Sequence, residues 1–338
     1  MKPPQIIAEV GCNHRGSYYD ALKHIHVLSD YCRCNFTGAQ YAAPIIKFQK
    51  RDIASMPERI RNAPHPVPSN SYGDTYGEHR EALEFSIEDH AALLAECHAQ
   101  GIGYAVSVWD TVSAVEVLGL RHVIEYELVA PTHIKIPSAC NLDFELLGCI
   151  ASSWEREIHV SLGMTSEREI EKIVSYLERM GVSKRTVLYA CTSGYPVPAE
   201  HVYLDEVRRL RERYAHRVQS IAFSGHHNGI AIDMAAVAMG CSHIERHFTL
   251  DRSWKGTDHA ASLGPDGMRH LIRDVASIGE ALQSKPAEMC DIEKATRAKL
   301  KTKPTDAVVP QKIKDWEKSE RAALESELRG YIPEGKGL

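Results

Sequence analysis

The sequence predicts an α/β fold, a TIM (β/α)8 barrel followed by a short C-terminal helical extension. Three observations support this prediction. Strand-like apolar runs recur along the first part of the chain, a helical pattern follows each run, and eight such units in about 285 residues match the size of this barrel. The predicted strands are residues 6–9, 45–49, 104–108, 133–137, 158–162, 186–191, 221–224 and 242–247. We therefore expect a barrel domain over residues 1–285 and a linker with a helical tail over 286–338.

Local sequence features predict individual helices and one long connection. A helix is predicted from Ser166 to Met180, because acidic residues fill its first turn and Gly181 follows it. The proline-rich connection over residues 50–85 is too long for an ordinary loop, and its position predicts a lid over a site. A charged amphipathic helix is predicted over residues 312–329, where it suits docking on the barrel or on a second subunit of a homodimer.

Composition narrows the function classes. The 338 residues carry a formal charge of −5 with no basic stripe, so nucleic acid is not an expected partner. No apolar run approaches the ~18 residues of a membrane span, and the N-terminus lacks a signal-peptide core. A cytoplasmic location without a membrane partner is the resulting expectation.

Two histidines suggest a metal site. His226 and His247 lie 21 residues apart, each just past the end of a predicted strand. The carboxyl ends of neighbouring barrel strands lie side by side on the catalytic face, so both imidazoles are expected to share one divalent ion. The alternative is that two of the chain's 18 histidines fell there by chance.

Polar residues also end other predicted strands. Glu9, Lys47, Lys135, Ser161 and Tyr195 all occupy such positions. Polar side chains have little reason to recur there unless the barrel mouth holds a ligand. Lys47 and Lys135 together would concentrate positive charge, which suits a small, highly anionic substrate. For either lysine alone, a side chain that merely snorkels to solvent is the competing interpretation.

Seven short motifs carry a resemblance to a known family. They are residues 7–14 (IAEVGCNH), 47–49 (KFQ), 76–79 (YGEH), 191–196 (CTSGYP), 224–226 (SGH), 245–251 (ERHFTLD) and 256–259 (GTDH). In order and spacing the sequence resembles the sialic acid synthase (N-acetylneuraminate synthase) family, from about residue 5 to 300. Residues 76–79 and 254–256 look most like the animal-type branch, whose substrate is a sugar 6-phosphate.

The resemblance implies an enzyme that condenses phosphoenolpyruvate with an open-chain aldose. Phosphate would leave by C–O cleavage, giving a 2-keto-3-deoxy sugar acid. It implies Mn²⁺ or Mg²⁺ on His226 and His247, and Glu9 acting on a water or its proton at C2. The implied substrate contacts are Lys47, Gln49, Ser107, Lys135, Ser138, Ser161, Ser193, Tyr195, Ser224, Asp258 and His259.

The chain departs from the family pattern at several points. Val108 stands where many members carry a phosphate-binding threonine, so Ser107 is expected to make that contact. Cys140 replaces a glutamate that faces the sugar, and His227 follows the metal histidine where threonine or glutamate is usual. Residues 300–338 are too few for the family's C-terminal antifreeze-like domain, which is therefore expected to be absent.

Two other functions remain open at this stage. The barrel can bind sugar or phosphoenolpyruvate without turnover, as a partner of another synthase; Val108 and Cys140 favour that hypothesis. It can also be a metal-dependent aldolase or isomerase that uses His226 and His247 without phosphoenolpyruvate. The retained Glu9 and both lysines favour the synthase.

Overall fold

A computed structural model describes residues 4–32, 42–120, 122–124, 127–286, 288–301 and 311–331. Contacts divide the chain into two compact units, Met1–Gln283 and Ser284–Leu338. Among the helices of the described ranges, none is both long enough and apolar enough to cross a membrane.

The first unit is built around a closed barrel of eight parallel strands, which confirms the predicted TIM barrel. The strands run in chain order around the ring, and β1 pairs with β8, so that Glu9 lies opposite His247. We number them β1 Gln5–Gly11, β2 Ile45–Lys50, β3 Gly103–Val108, β4 His133–Ile136, β5 Glu157–Ser161, β6 Thr186–Cys191, β7 Ser220–Gly225 and β8 His243–His247.

Helices follow the strands as the sequence pattern predicts. Those of the first unit are Tyr18–His26, Glu58–Arg61, Tyr76–Glu81, Ile87–Ala99, Thr111–Leu118, Phe144–Ser153, Glu167–Arg179, Glu206–Tyr214, Ala231–Ala238 and Pro265–Ala281. Helix Glu167–Arg179 begins at a capping box in which Ser166 and Glu169 satisfy each other's backbone donors. Beyond its end, Gly181 adopts a left-handed φ of +72° that glycine takes without strain.

Two features between the barrel strands were not predicted. A two-stranded antiparallel hairpin, His122–Ile124 and Glu127–Val129, lies outside the barrel between β3 and β4. The connection after β2 is structured, with the short helices Glu58–Arg61 and Tyr76–Glu81 and a 3₁₀ turn at Pro68–Asn70.

The second unit contains helices Asp291–Leu300 and Gln311–Tyr331. The charged helix predicted over residues 312–329 is thus present. Helix Asp291–Leu300 lies in the stretch predicted as linker, and residues 287 and 302–310 of that stretch lie outside the described residues. That this tail supports a homodimer stays a prediction.

The interior of the barrel is apolar in the middle and polar at its carboxyl end. Alternate strand residues face inward, and six of them form a buried cluster separate from the core between strands and helices: Ile7, Ile45, Ala105, Val187, Tyr189 and Ala222. Two residues further along β1 and β2 the same faces carry Glu9 and Lys47, which are also buried. The apolar layer therefore lies directly beneath a polar site.

Candidate active site

A cavity of about 430 Å³ opens at the carboxyl end of the barrel. Every strand contributes at least one side chain to its wall. In chain order these strand residues are Glu9, Lys47, Gln49, Ser107, Lys135, Ser161, Cys191, Ser224, Glu245 and His247. The β–α loops add Ser138, Ser193, Tyr195, His226 and Asp258 among others. Such a mouth is where TIM barrels place their active sites.

All of the site residues predicted from sequence lie on this wall except His259. His259 is buried behind the wall, where its Nδ1 lies 2.7 Å from the hydroxyl of Thr249. Gly256 packs against the same ring, so closely that an added Cβ would come within 2.7 Å of it. The expected contact between His259 and a sugar thus lacks support from its position, which is that of a residue supporting the loop that carries Asp258.

The floor of the cavity is a network of two lysines and two glutamates. Lys47 Nζ lies 2.5 Å from Glu9 Oε2 and 3.7 Å from Glu245 Oε2, and it donates to Ser107 Oγ at 2.6 Å. Lys135 Nζ lies 2.5 Å from Glu245 Oε1, which also accepts from Ser224 Oγ at 3.1 Å. We call Glu9, Lys47, Lys135 and Glu245 the floor network; all four are at most 3% exposed.

Electrostatics favour the charged forms of Lys47 and Glu245 despite their burial. Burial alone would lower the pKa of Lys47, but the carboxylates of Glu245 and Glu9 raise it above its usual value. Burial would likewise raise the pKa of Glu245, yet the ammonium groups of Lys135 and Lys47 hold it well below the normal range. For Lys135, burial outweighs the attraction of Glu245 and lowers its pKa.

The floor network corrects one step of the sequence argument. Lys47 and Lys135 were expected to concentrate positive charge, but each faces a glutamate, so the formal charge of the network is zero. Glu245 was not predicted as a site residue. Its signal was present in the sequence, because it lies two positions before His247 on β8 and therefore on the same face of that strand.

His226 and His247 lie together beside this network. Their ring centroids are 5.3 Å apart, and both rings contact Tyr195. Burial, reinforced by His247, lowers the pKa of His226 to about 3, so its imidazole is neutral at physiological pH. His226 Nδ1 lies 3.0 Å from the carbonyl oxygen of Thr192. A proton on Nδ1 serves that bond and leaves the Nε2 lone pair available to a metal.

The histidine pair fits a divalent metal with open coordination positions. The Nδ1 atom of His247 is buried without a hydrogen-bond partner, and Asp258 Oδ2 lies 3.6 Å from it. Within the described residues no third His, Cys, Asp or Glu completes a three-ligand cluster here. An ion on these two imidazoles would therefore keep positions for water or substrate oxygens.

The connection between β2 and helix Ile87–Ala99 supplies part of the cavity wall. Tyr76 and Arg80 reach it from helix Tyr76–Glu81, and Arg80 Nε donates to the Tyr76 hydroxyl at 2.9 Å. The hydroxyl of Tyr72 donates to the Lys255 carbonyl at 2.7 Å, which ties the connection to the loop after β8. Sequence reasoning expected a lid here but did not identify Tyr76 or Arg80 individually as site residues.

The residues at which this chain departs from the family pattern occupy different places in the structure. Val108 is fully buried in the outer core, while the neighbouring Ser107 faces the cavity, as expected from the alternation along β3. Cys140 is not among the lining residues, and its Sγ lies 3.2 Å from the carbonyl oxygen of Trp109. His227 also lies away from the wall, with Nε2 3.1 Å from Arg246 and 3.3 Å from Asp233.

Comparisons with known proteins agree with this architecture. The chain is 33% identical over 298 residues to the N-acetylneuraminate-9-phosphate synthase of Homo sapiens, which covers 88% of this chain and 76% of that protein. It is 29% identical over 286 residues to the N,N'-diacetyllegionaminic acid synthase of Campylobacter jejuni, covering 83% and 78% respectively. A solved sialic acid synthetase of Leptospira borgpetersenii in complex with citrate superposes with a TM-score of 0.69 at 25% identity, covering 89% of this chain and 94% of that one. Residues 37–287 match the NeuB family. The chain therefore belongs to the NeuB family.

Proposed function

We propose that this chain condenses phosphoenolpyruvate with an open-chain aldose, giving a 2-keto-3-deoxy sugar acid and inorganic phosphate. The observation that carries the proposal is the cavity floor, where two buried ammonium groups lie among five serine hydroxyls next to the pair His226 and His247. The relatives named above are sugar-acid synthases, which supports the same reaction class.

Phosphoenolpyruvate is proposed to bind over Lys135 and the serine cluster. In the described structure Lys135 Nζ donates to Glu245 alone, which leaves two of its three N–H groups for a phosphate or carboxylate. Gly163 N donates to Ser138 Oγ at 3.0 Å, and this holds the hydroxyl at the rim of the pocket. Ser161 and Ser193 add further short hydroxyl donors from neighbouring strand ends. This arrangement suits a compact anion better than a large apolar ligand.

Glu9 is proposed to act on the water that adds at C2. Its Oε1 accepts from Gln49 Nε2 at 2.9 Å and its Oε2 pairs with Lys47, so the carboxylate is fixed in orientation. When C3 of phosphoenolpyruvate bonds to the aldehyde carbon, the aldehyde oxygen takes up a proton and C2 becomes electron-poor. Water then adds at C2 and gives one proton to Glu9, and phosphate leaves with the bridging oxygen as the C2 hydroxyl becomes the keto group. Of the two protons that the water loses, one replaces the proton taken up by the aldehyde oxygen and the other leaves on the phosphate.

The charge balance of the site is consistent with a divalent cofactor. Mn²⁺ or Mg²⁺ held by His226 and His247 would polarise the aldehyde oxygen and add two positive charges to a wall whose floor network is neutral. Tyr195 lies against both imidazole rings. The sugar is proposed to occupy the outer cavity, between Asp258 and the Tyr76–Arg80 side.

Isotope transfer gives the sharpest test of the reaction. Phosphoenolpyruvate labelled with ¹⁸O at the bridging position is incubated with the protein, Mn²⁺ and a panel of aldoses: an N-acylated hexosamine, its 6-phosphate and an unmodified hexose. If the protein is a synthase, phosphate is released only when an aldose is present, and this phosphate carries the label because the C–O bond breaks. Unlabelled phosphate would exclude this mechanism.

The same panel separates the alternatives. A non-catalytic partner would bind phosphoenolpyruvate, seen by calorimetry, without releasing phosphate. A metal-dependent aldolase or isomerase would convert a sugar in the absence of phosphoenolpyruvate. Sedimentation velocity tests the proposed homodimer, and assays with Mn²⁺ against Mg²⁺ test the metal.

A further inference from the structure

A second group of metal-binding side chains lies at the opposite end of the barrel. Glu157 and His159 on β5 and His243 on β8 bring one ligand atom each within 4.8 Å of one another. His243 precedes His247 by four strand residues, so the two histidines lie about 13 Å apart along β8. It is separated from the cavity by the layer that contains Ile7 and Tyr189.

The spacing of the three ligand atoms matches a tetrahedral site. Glu157 Oε2 lies 3.2 Å from His159 Nε2 and 3.8 Å from His243 Nε2. Ligands about 2.1 Å from a zinc ion in tetrahedral geometry are separated by about 3.4 Å. The observed distances bracket that value, so an ion between the three atoms needs only small side-chain shifts.

Neighbouring hydroxyls orient both imidazoles. Ser242 Oγ lies 2.7 Å from Ser220 Oγ, 3.2 Å from the Ile221 carbonyl oxygen and 2.8 Å from His243 Nδ1, and it accepts from Nδ1 in the tautomer that carries the proton there. His243 Nε2 then carries a lone pair that faces the Glu157 carboxylate. A lone pair opposite a carboxylate is repulsive unless a cation lies between them.

The other two ligands are held in a similar way. His159 Nδ1 lies 2.7 Å from the Tyr189 hydroxyl, which leaves Nε2 for Glu157. Gln219 Nε2 donates to Glu157 Oε1, so that Oε2 is the oxygen directed toward the rings. Such supporting hydrogen bonds are a general property of metal-bound histidines and carboxylates.

Access to the cluster also suits a metal. The side chain of Glu157 is 38% exposed, which gives an ion a route from solvent at the amino end of the barrel. His133 stacks on His159 with a centroid distance of 3.7 Å and fills the inner side of the cluster.

We propose that Glu157, His159 and His243 form a second divalent metal site, independent of the catalytic one, that binds Zn²⁺ with water as the fourth ligand. Two imidazoles and one carboxylate favour zinc over Mg²⁺ or Ca²⁺, which prefer oxygen-only shells. The ion would join β5 to β8 across the bottom of the barrel and stabilise its closure.

Cobalt substitution distinguishes this site from the catalytic one. The full-length protein is stripped with a chelator and titrated with Co²⁺, whose tetrahedral complexes absorb visible light far more strongly than six-coordinate ones. Bound zinc is then measured by mass spectrometry after dialysis of each variant. We expect the intense tetrahedral bands in the wild-type protein and in H247Q, and their loss in H243Q and in E157Q. Zinc affinity at this site should fall at least tenfold in both.

E157Q and a control variant, H216Q, allow the test to be interpreted even if H243Q does not fold. E157Q changes a half-exposed side chain and retains the bond with Gln219, so it reports on the site even if H243Q folds poorly by circular dichroism. H216Q, which alters an exposed histidine, is the matched control and should leave both spectrum and stoichiometry unchanged. The proposal is overturned if the tetrahedral signal is absent from the wild-type protein, survives in E157Q, or disappears in H247Q. Survival in a folded H243Q would overturn it as well.

Discussion

Replacing Lys47 with methionine tests the floor network most directly. The lysine Nζ lies 2.5 Å from Glu9, 3.7 Å from Glu245 and 2.6 Å from the Ser107 hydroxyl. Methionine retains most of the packing volume but removes the ammonium, leaving Glu9 without its cation partner in a region at most 3% exposed. Breaking one partner of a buried ion pair typically costs about 3–5 kcal/mol of stability. We therefore expect a loss of that order in the free energy of unfolding.

The reasoning also predicts coupling between Lys47 and Glu9. In the double variant E9Q/K47M the neutral amide no longer needs a cation, so part of the loss should return. We expect the double variant to be more stable than the sum of the two single changes by about 1–3 kcal/mol. Urea unfolding followed by circular dichroism at pH 7 measures all four proteins in a chelator-treated buffer.

The matched control is an ion pair whose lysine is exposed and whose buried aspartate keeps a second partner, Arg15. Lys23 Nζ lies 3.6 Å from Asp20 Oδ1, with the lysine side chain 46% exposed, and K23M should cost less than about 1 kcal/mol. In the proposed enzyme K47M should also lower kcat/KM by about 10²–10³ through the lost charge contact with the substrate. If K47M is as stable as K23M, or if E9Q and K47M add without coupling, the floor network is not a buried ion network of this kind.

Three further predictions concern catalysis, metal and pH. E9Q retains shape and hydrogen bonding, so turnover should fall to background while phosphoenolpyruvate binding, measured by calorimetry, persists; full turnover would remove Glu9 from the mechanism. H226A and H247A should each lower Mn²⁺ content and aldose-dependent phosphate release, and full occupancy with full activity in both would place the metal elsewhere. Because burial lowers the pKa of His90 to about 3 from about 6.5 in the unfolded chain, the unfolded state binds the extra proton, and stability falls as pH drops from about 6.5 toward 3. Denaturant unfolding between pH 7 and 5 measures the slope of the free energy of unfolding against pH, and H90Q should reduce this slope by up to about 1.4 kcal/mol per pH unit. H98Q, on the exposed face of the same helix, should leave the slope unchanged. Equal slopes in both variants would contradict the argument.

The barrel could be predicted from the sequence because strand-like and helical patterns are local and alternate regularly along the chain. A parallel barrel strand is buried on both faces, so β1, β5 and β7 read as short apolar runs, and an inward polar residue at the end of a run is conspicuous. Lys47 and Gln49 share the inner face of β2 by alternation alone. Position along the chain was enough to predict that these residues meet, because the topology of a TIM barrel brings all strand ends to one face.

Sequence reasoning gave least information where partners are distant in sequence. Lys135 and Glu245 are 110 residues apart, and no local pattern indicates that one neutralises the other. Arg80 belongs to an irregular connection whose path depends on contacts such as that between Tyr72 and Lys255. The expected role of His259 rested on its motif, and a motif does not tell whether a ring faces the cavity or supports the loop from behind.

The neutral floor network changes how the cavity attracts an anion. If the two lysines had been unpaired, affinity for phosphoenolpyruvate would follow from their charge alone, and the lysines would be destabilising in the empty protein. Pairing with Glu9 and Glu245 removes that cost, and it means that the net positive charge facing a bound anion must come from other groups, while the lysines contribute as hydrogen-bond donors. Arg80 makes no ion pair among the described residues, and its guanidinium faces the cavity beside Tyr76. In the proposed enzyme, Arg80 and a divalent ion on the histidine pair would together supply the positive charge that the floor network does not.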